Sequence, residues 1–122
     1  MMRVLVCGDR DWTDAKFIFD ALDKLHKKKN IKLIIEGEAD GADSLGRNWA
    51  REHAVPFMGF QANWKDHGRA AGPIRNKKML DEGCPDVVLA FHDNLAGSKG
   101  TRSMVLLAEK VGVKVQKLSH PK

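Results

Sequence analysis

The sequence predicts an α/β domain, a five-stranded and mostly parallel sheet with helices on both faces. Three observations predict it. Short β-rich apolar runs alternate with segments whose apolar residues recur at helical spacing, in the order β-α-β-α-β-α-β-α-β. Glycine-bearing loops separate the strands from the helices that follow them. The fourth run, Asp86–Phe91, is apolar on both faces, as an interior parallel strand must be.

Each element has its own signal. Arg3–Cys7 is the first strand, closed by Gly8. Thr13 caps a helix with Asp14 in its first turn, and Ala15, Ile18, Phe19 and Leu22 form its inward stripe up to Asn30. Ile31–Glu36 is the second strand, closed by Gly37. Asp43 or Ser44 opens a second helix, with Leu45, Trp49 and Ala50 on one face. Val55–Phe60 is a third strand, entered through Pro56. Residues 61–72 read as a long loop. A helix over 73–82 starts at Gly72-Pro73, because proline is preformed for a first helical turn, and ends at Gly83. After Asp86–Phe91 and a loop over 92–100, Thr101 caps a last helix with Met104, Leu107, Ala108 and Val111 inward. Gly112 stops it, and Val113–Leu118 is the final strand.

The 122 residues make one domain, 1–122, of ordinary soluble composition, with 43% hydrophobic and 30% charged residues. The longest apolar runs are too short to span a membrane, and Met1-Met2-Arg3 lacks a signal-peptide layout. Cys7 and Cys84 have no metal or redox spacing, so a reducing cytoplasm is the expected location and Cys7 a small buried hydrophobe. No two histidines have helical metal-ligand spacing, so no structural metal is expected; no cofactor is expected either. Of the +5 net charge, much lies in Lys24, Lys27, Lys28, Lys29 and Lys32. That run complements a helix C-terminal dipole and has no interleaved aromatics to stack on a nucleic acid. His26, His53 and His120 carry little functional weight: one lies by the lysines, one ends a helix and one lies in the tail.

In parallel sheets, ligands bind beyond the carboxyl ends of the strands, where the strand order reverses. The unusual residues of this chain cluster in those loops. After the first strand, Gly8 precedes Arg10, which could reach a phosphate, and Trp12, which could stack on a base; alternatively Arg10 pairs with Asp9 or Asp11, and Trp12 packs on its own helix. After the second, Gly37, Gly41 and Ala42 let backbone N–H groups approach a ligand. There Asp40 and Asp43 could accept ribose hydroxyls or cap the helix. After the fourth, Gly97, Ser98, Lys99, Gly100 and Thr101 form an anion-binding nest or an ordinary connection. Gly72, Arg75 and Asn76 stand where a helix begins. A cation in a first helical turn opposes the dipole unless an anion lies between them, so Arg75 reads as an anion clamp or as a solvated surface arginine.

These residues carry a family resemblance over nearly the whole chain. The matching strings are Gly8-Asp-Arg-Asp-Trp12, Gly37-x3-Gly-Ala-Asp43, Ala62-Asn-Trp64, Gly68-Arg-Ala-Ala-Gly-Pro-Ile-Arg-Asn76 with Met79, and Gly97-x2-Gly-Thr101. The chain resembles the YspA-like branch of the SLOG superfamily, found in bacteria and phages. More distantly it resembles the cytokinin-activating phosphoribohydrolases and the DNA-processing protein that loads recombinase. The resemblance implies a Rossmann-like fold, a nucleotide or nucleotide-derived ligand, and a dimer or higher oligomer. In the phosphoribohydrolases an arginine of an Arg-Lys-x-x-Met string and a glutamate of a Gly-Gly-x-Gly-Thr-x-x-Glu string are catalytic. Arg75 and Met79 match the first string; Met104 stands where the second ends, and a thioether is neither acid nor base.

Three functions follow as expectations. The first is binding of a nucleoside phosphate, an ADP-ribose-like molecule or a cyclic nucleotide signal, as sensor or sequestering protein. The second is hydrolysis of an N-glycosidic bond in a nucleoside monophosphate, with Arg75 catalytic and a base drawn from Glu38, Asp40, Asp43 or His92. The third is single-stranded nucleic-acid binding, permitted by the positive charge and by Trp12 and Trp64. His67 and His92 are further candidates on the ligand side, and Trp64 and Asp66 could instead fold the long loop or make an oligomer contact.

Overall fold

Alternating apolar residues put two hydrophobic faces on one sheet, and a computed structural model, which describes residues 1–121, builds on both. Five strands, β1 (Met2–Gly8), β2 (Ile31–Glu36), β3 (Phe57–Gly59), β4 (Val87–Phe91) and β5 (Lys114–Leu118), lie in the order β3-β2-β1-β4-β5, and every pairing is parallel. Side chains alternate across the pleat. Val4 and Val6 therefore join Ile34, Leu89 and Phe91 under α1 (Ala15–Lys29) and α2 (Ala42–Glu52), where Ile18, Leu22 and Trp49 are fully buried. Leu5 and Cys7 face the other way, with Ile35, Val88 and Ala90, beneath the last two long helices. The strand order reverses between β1 and β4. Gly8 there pairs with Phe91, so the two strands end level and their following loops diverge around one crevice.

Several boundaries differ from the sequence expectation, for local reasons. Asp14 rather than Thr13 caps α1: its carboxylate accepts from the Phe17 N–H at 3.1 Å. The third strand shrinks to three edge residues, and Pro56 precedes it with a carbonyl that accepts from Ile34 N–H. The long loop holds a short helix, α3 (Trp64–His67), capped by Asn63, and a 3-10 turn over Gly68–Ala70. The next helix, α4 (Ala71–Gly83), starts two residues early and ends at Cys84 in a left-handed conformation. Gly72 is thus inside the helix and Arg75 in its second turn. The last helix, α5 (Gly100–Lys110), buries Met104, Val105 and Ala108, but Val111 is 61% exposed. Among the described residues, no helix is long and apolar enough to cross a membrane.

His120, expected only in the tail, turns out to tie three parts of the chain together. Its ring stacks on Trp12 at 4.4 Å between centroids and lies 2.9 Å from both Asp93 and Asp14. Its backbone N–H also donates to Asp93 at 2.7 Å. Both ring nitrogens facing carboxylates favours the imidazolium. Asp93 and Asp14 raise the His120 pKa, and His120 in turn holds both carboxyls below their ordinary values. This clamp contributes stability above the ordinary carboxylate pKa and loses it as pH rises through the raised imidazole pKa. His120→Ala is therefore expected to lower the melting temperature at pH 6, with the deficit shrinking by pH 9 and in high salt. Equal deficits at pH 6 and pH 9 would count against the clamp.

Candidate functional site

The crevice between the β1 and β4 ends opens into a cavity of about 240 Å³. Its floor is apolar: Cys7, Met79 and Met104. Its walls are Gly8, Asp9 and Arg10 after β1, Ala39 and Asp43 after β2, Arg75 and Asn76 from α4, His92 after β4, and Ser98–Thr101 at the start of α5. A second cavity of about 290 Å³ adjoins it. Gly37, Glu38, Asp40, Gln61, Ala62 and Trp64 line it, together with Arg10, Ala39 and Arg75, which border both.

Arg75 is held before any ligand arrives. Its Nε donates to Asn76 Oδ1 at 2.9 Å and its Nη1 to the Gly37 carbonyl at 2.7 Å, leaving Nη2 uncommitted among the described residues. Asn76 is 2% exposed, and its amide also reaches the Gly100 carbonyl at 3.4 Å, linking α4 to α5. Gly37 is what makes room. A Cβ there would lie 2.6 Å from Arg75 Nη1 and 2.9 Å from the Asp43 carboxylate, so any side chain would evict one of them.

Asp43 neither caps α2 nor stands open to solvent. It is 5% exposed, and its Oδ2 gathers the N–H groups of Gly37 at 3.0 Å and Ala39 at 3.4 Å, folding the loop after β2 around itself. Burial pushes its pKa up to about 7; the Arg75 charge and the two N–H bonds oppose this, and Glu36 adds to it. Glu36 is itself fully buried at the end of β2, accepts from the Glu38 N–H at 2.8 Å and has its pKa raised by burial. Burial first, and then the Asp43 charge, push the Cys7 thiol up, so no thiolate is available in this cavity.

The structure brings together most of the residues singled out in the sequence; five of them, Trp12, Gly41, Ala42, Gly72 and Gly97, line neither cavity, and Thr101 lines the first without capping α5. Trp12 is 6% exposed in the core, its indole N–H donating to the Asp14 carbonyl and its ring against Phe17, Phe91 and His120, so it offers no face to the cavity. Ala42 is fully buried, and its N–H is spent on the Asp9 carbonyl at 3.1 Å. Gly97 lies in a 3-10 turn with its N–H on the Asn94 carbonyl. Thr101 caps nothing: its own N–H donates to Ser98 Oγ at 3.1 Å, which makes Ser98 the capping hydroxyl of α5, and among the described residues the Gly100 amide has no acceptor. Gly41 and Gly72 act behind the walls. Gly41 has φ +71°, and a Cβ there would lie 2.2 Å from the Asp9 carbonyl oxygen. It lets the loops after β1 and β2 touch. Gly72 is buried at the start of α4, facing Trp64.

Gln61 and Asp9 are lining residues that the sequence reading passed over. Gln61 lies in the long loop outside the glycine-bearing strings, and Asp9 was weighed only as a partner for Arg10; the loop geometry brings both in. Met104 does line the cavity and presents a thioether to it. Among the described residues, no group of three or more His, Cys, Asp and Glu side chains is gathered as a metal-ligand set.

Comparison with known proteins bears on the family. The YspA, cpYpsA-related SLOG family matches residues 2–67, which run from β1 through α3. The Gene 61 protein of Mycobacterium phage D29 is 38% identical over 122 residues, covering 94% of each chain.

Proposed function

Because the chain belongs to the YspA, cpYpsA-related SLOG family, we propose that it binds a nucleotide-derived ligand through its phosphate, as a sensor or sequestering protein. One observation carries this reading. At the point where the strand order reverses, the preset Arg75 guanidinium, Arg10, Lys99 and the open N-terminus of α5 converge on a single cavity. Helix N-termini and arginine forks are the standard chemistry for phosphate oxygens. Calorimetric titration with nucleoside monophosphates tests it. Micromolar or tighter binding to at least one is expected; no detectable binding of any nucleotide or of ADP-ribose would reject it. Sedimentation equilibrium tests the homo-oligomer that forms part of the same proposal, for which the exposed Leu106 and Val111 supply apolar surface.

A second reading, N-glycosidic hydrolysis, draws on Asp43. A carboxyl that still holds its proton near neutral pH, inside the cavity and beside Arg75, suits a general acid for a departing base. The glutamate-dependent route of the phosphoribohydrolases has no counterpart at Met104, so Asp43 would have to supply it. Incubation with each nucleoside monophosphate, followed by chromatography, is expected to show free base released by the parent chain and none by Asp43→Asn. No release by the parent chain would leave binding alone. The nucleic-acid reading loses Trp12 as a stacking platform and keeps only Trp64.

A further inference from the structure

Trp64 is 57% exposed, whereas Trp12 and Trp49 are 6% and 0% exposed. An exposed aromatic face beside a cavity is a ready stacking surface for a planar ring. This one forms a wall of the second cavity. It is also held in place. Asn63 caps the short helix that carries it, accepting from the Asp66 N–H at 3.1 Å and donating to the Asp66 carboxylate at 2.9 Å. The tip of the indole rests against the start of α4, where a Cβ on Gly72 would meet it at 3.5 Å. Glu38 and Asp40 line the same cavity. Glu38 adopts φ +56°, uncommon for a residue with a side chain, and its N–H is fastened to the buried Glu36 carboxylate. Its side chain passes over Gly59, where a Cβ would come within 2.7 Å of Glu38 Cγ. The second cavity therefore pairs an open aromatic face with two carboxylates of the loop after β2, and among the described residues its only bordering cations, Arg10 and Arg75, are shared with the first.

We propose that this second cavity is a nucleoside seat. The ligand crosses Arg75, with its 5′-phosphate in the first cavity, its base on the Trp64 indole, and its ribose hydroxyls donating to Glu38 and Asp40. The inference rests on the phosphate reading above. It also narrows the ligand class. Carboxylates accept from a free 2′,3′-diol but repel a phosphate there, so nucleoside 5′-phosphates bind in preference to 3′,5′-bisphosphates. Base stacking on an aromatic ring tolerates any base, so selectivity lies in the sugar rather than in the base.

Calorimetric titration of the full chain with AMP, GMP, CMP, UMP, adenosine 3′,5′-bisphosphate and inorganic phosphate separates the two proposals. Trp64→Ala is expected to weaken every monophosphate about tenfold and to leave inorganic phosphate unchanged, with Trp64→Phe recovering most of the loss. The bisphosphate is expected to bind about tenfold more weakly than AMP, and Glu38→Gln with Asp40→Asn to close that gap. Monophosphate affinity that is unchanged in Trp64→Ala, or a bisphosphate that binds as well as AMP, overturns the nucleoside seat and leaves the phosphate reading standing. Failure of all the probes to bind overturns both.

Discussion

Arg75→Ala is expected to weaken nucleoside 5′-phosphate binding about 100-fold, the largest loss from any single side chain in the crevice. A hydrogen bond to a charged group contributes roughly 1.5–3 kcal/mol, and each factor of ten in affinity is about 1.4 kcal/mol. Arg75 should reach the upper part of that range because its conformation is already fixed. Nε is on Asn76 and Nη1 on the Gly37 carbonyl, so binding does not have to order the side chain. Arg75→Lys should recover little. An ammonium keeps the charge but cannot hold Asn76, the Gly37 carbonyl and a phosphate oxygen in one plane. The measurement is a calorimetric dissociation constant at fixed ionic strength, since the charge component weakens with salt. An affinity within threefold of the parent chain would remove Arg75 from the ligand. The same substitution strips Asp43 of its compensating cation, so its already raised pKa should rise further.

The order of elements was legible because two patterns carry it. The unbroken apolar run Val4–Cys7 requires a strand buried on both faces, helical spacing in Ile18 and Leu22 states which face of α1 is buried, and both core clusters follow from them. Short elements are not legible in that way. The four residues Trp64–His67 are too few to show a stripe, and so the long loop hid a helix. Arg75 shows a subtler gap. The Gly72-Pro73 signal places it in a first turn, opposing the dipole. With α4 beginning at Ala71, it lies in the second turn, where that field has mostly decayed. Its seat is set instead by the Gly37 carbonyl, at the far side of the sheet edge, which no local pattern announces. Trp12 could not be resolved for a related reason. Core or ligand depends on whether Phe91 and His120 come to meet it, and those partners are distant in the chain. Asp43 went beyond both alternatives read for it, capping or ribose contact, because a buried carboxylate collecting loop N–H groups has no sequence signature.

Asp43→Asn is expected to stabilise the protein at pH 8 and to change it little at pH 4. Asp43 has a pKa of about 7 in the folded chain and an ordinary value of 3.8. Between those values the folded state holds a proton that the unfolded state has released. Stability from this group is therefore complete below pH 3.8 and is lost as pH rises through 7. At about 1.4 kcal/mol for each pKa unit, the loss is at most roughly 4 kcal/mol. Asparagine keeps an oxygen for the Gly37 and Ala39 N–H groups and carries no charge to bury, so it should escape that loss. Glu36 is shifted in the same direction, so some slope should remain in the variant. Urea denaturation of both chains at pH 4, 6 and 8 measures the difference, and parallel profiles would show that Asp43 ionises as an ordinary carboxylate. Ligand affinity should carry the same signature. Above pH 7 the Asp43 anion shares a cavity with the bound phosphate and repels it, whereas below pH 7 it is neutral. The parent chain should therefore lose affinity relative to Asp43→Asn as pH rises from 6 to 8, which makes this one buried carboxyl a proton gauge on the ligand crevice.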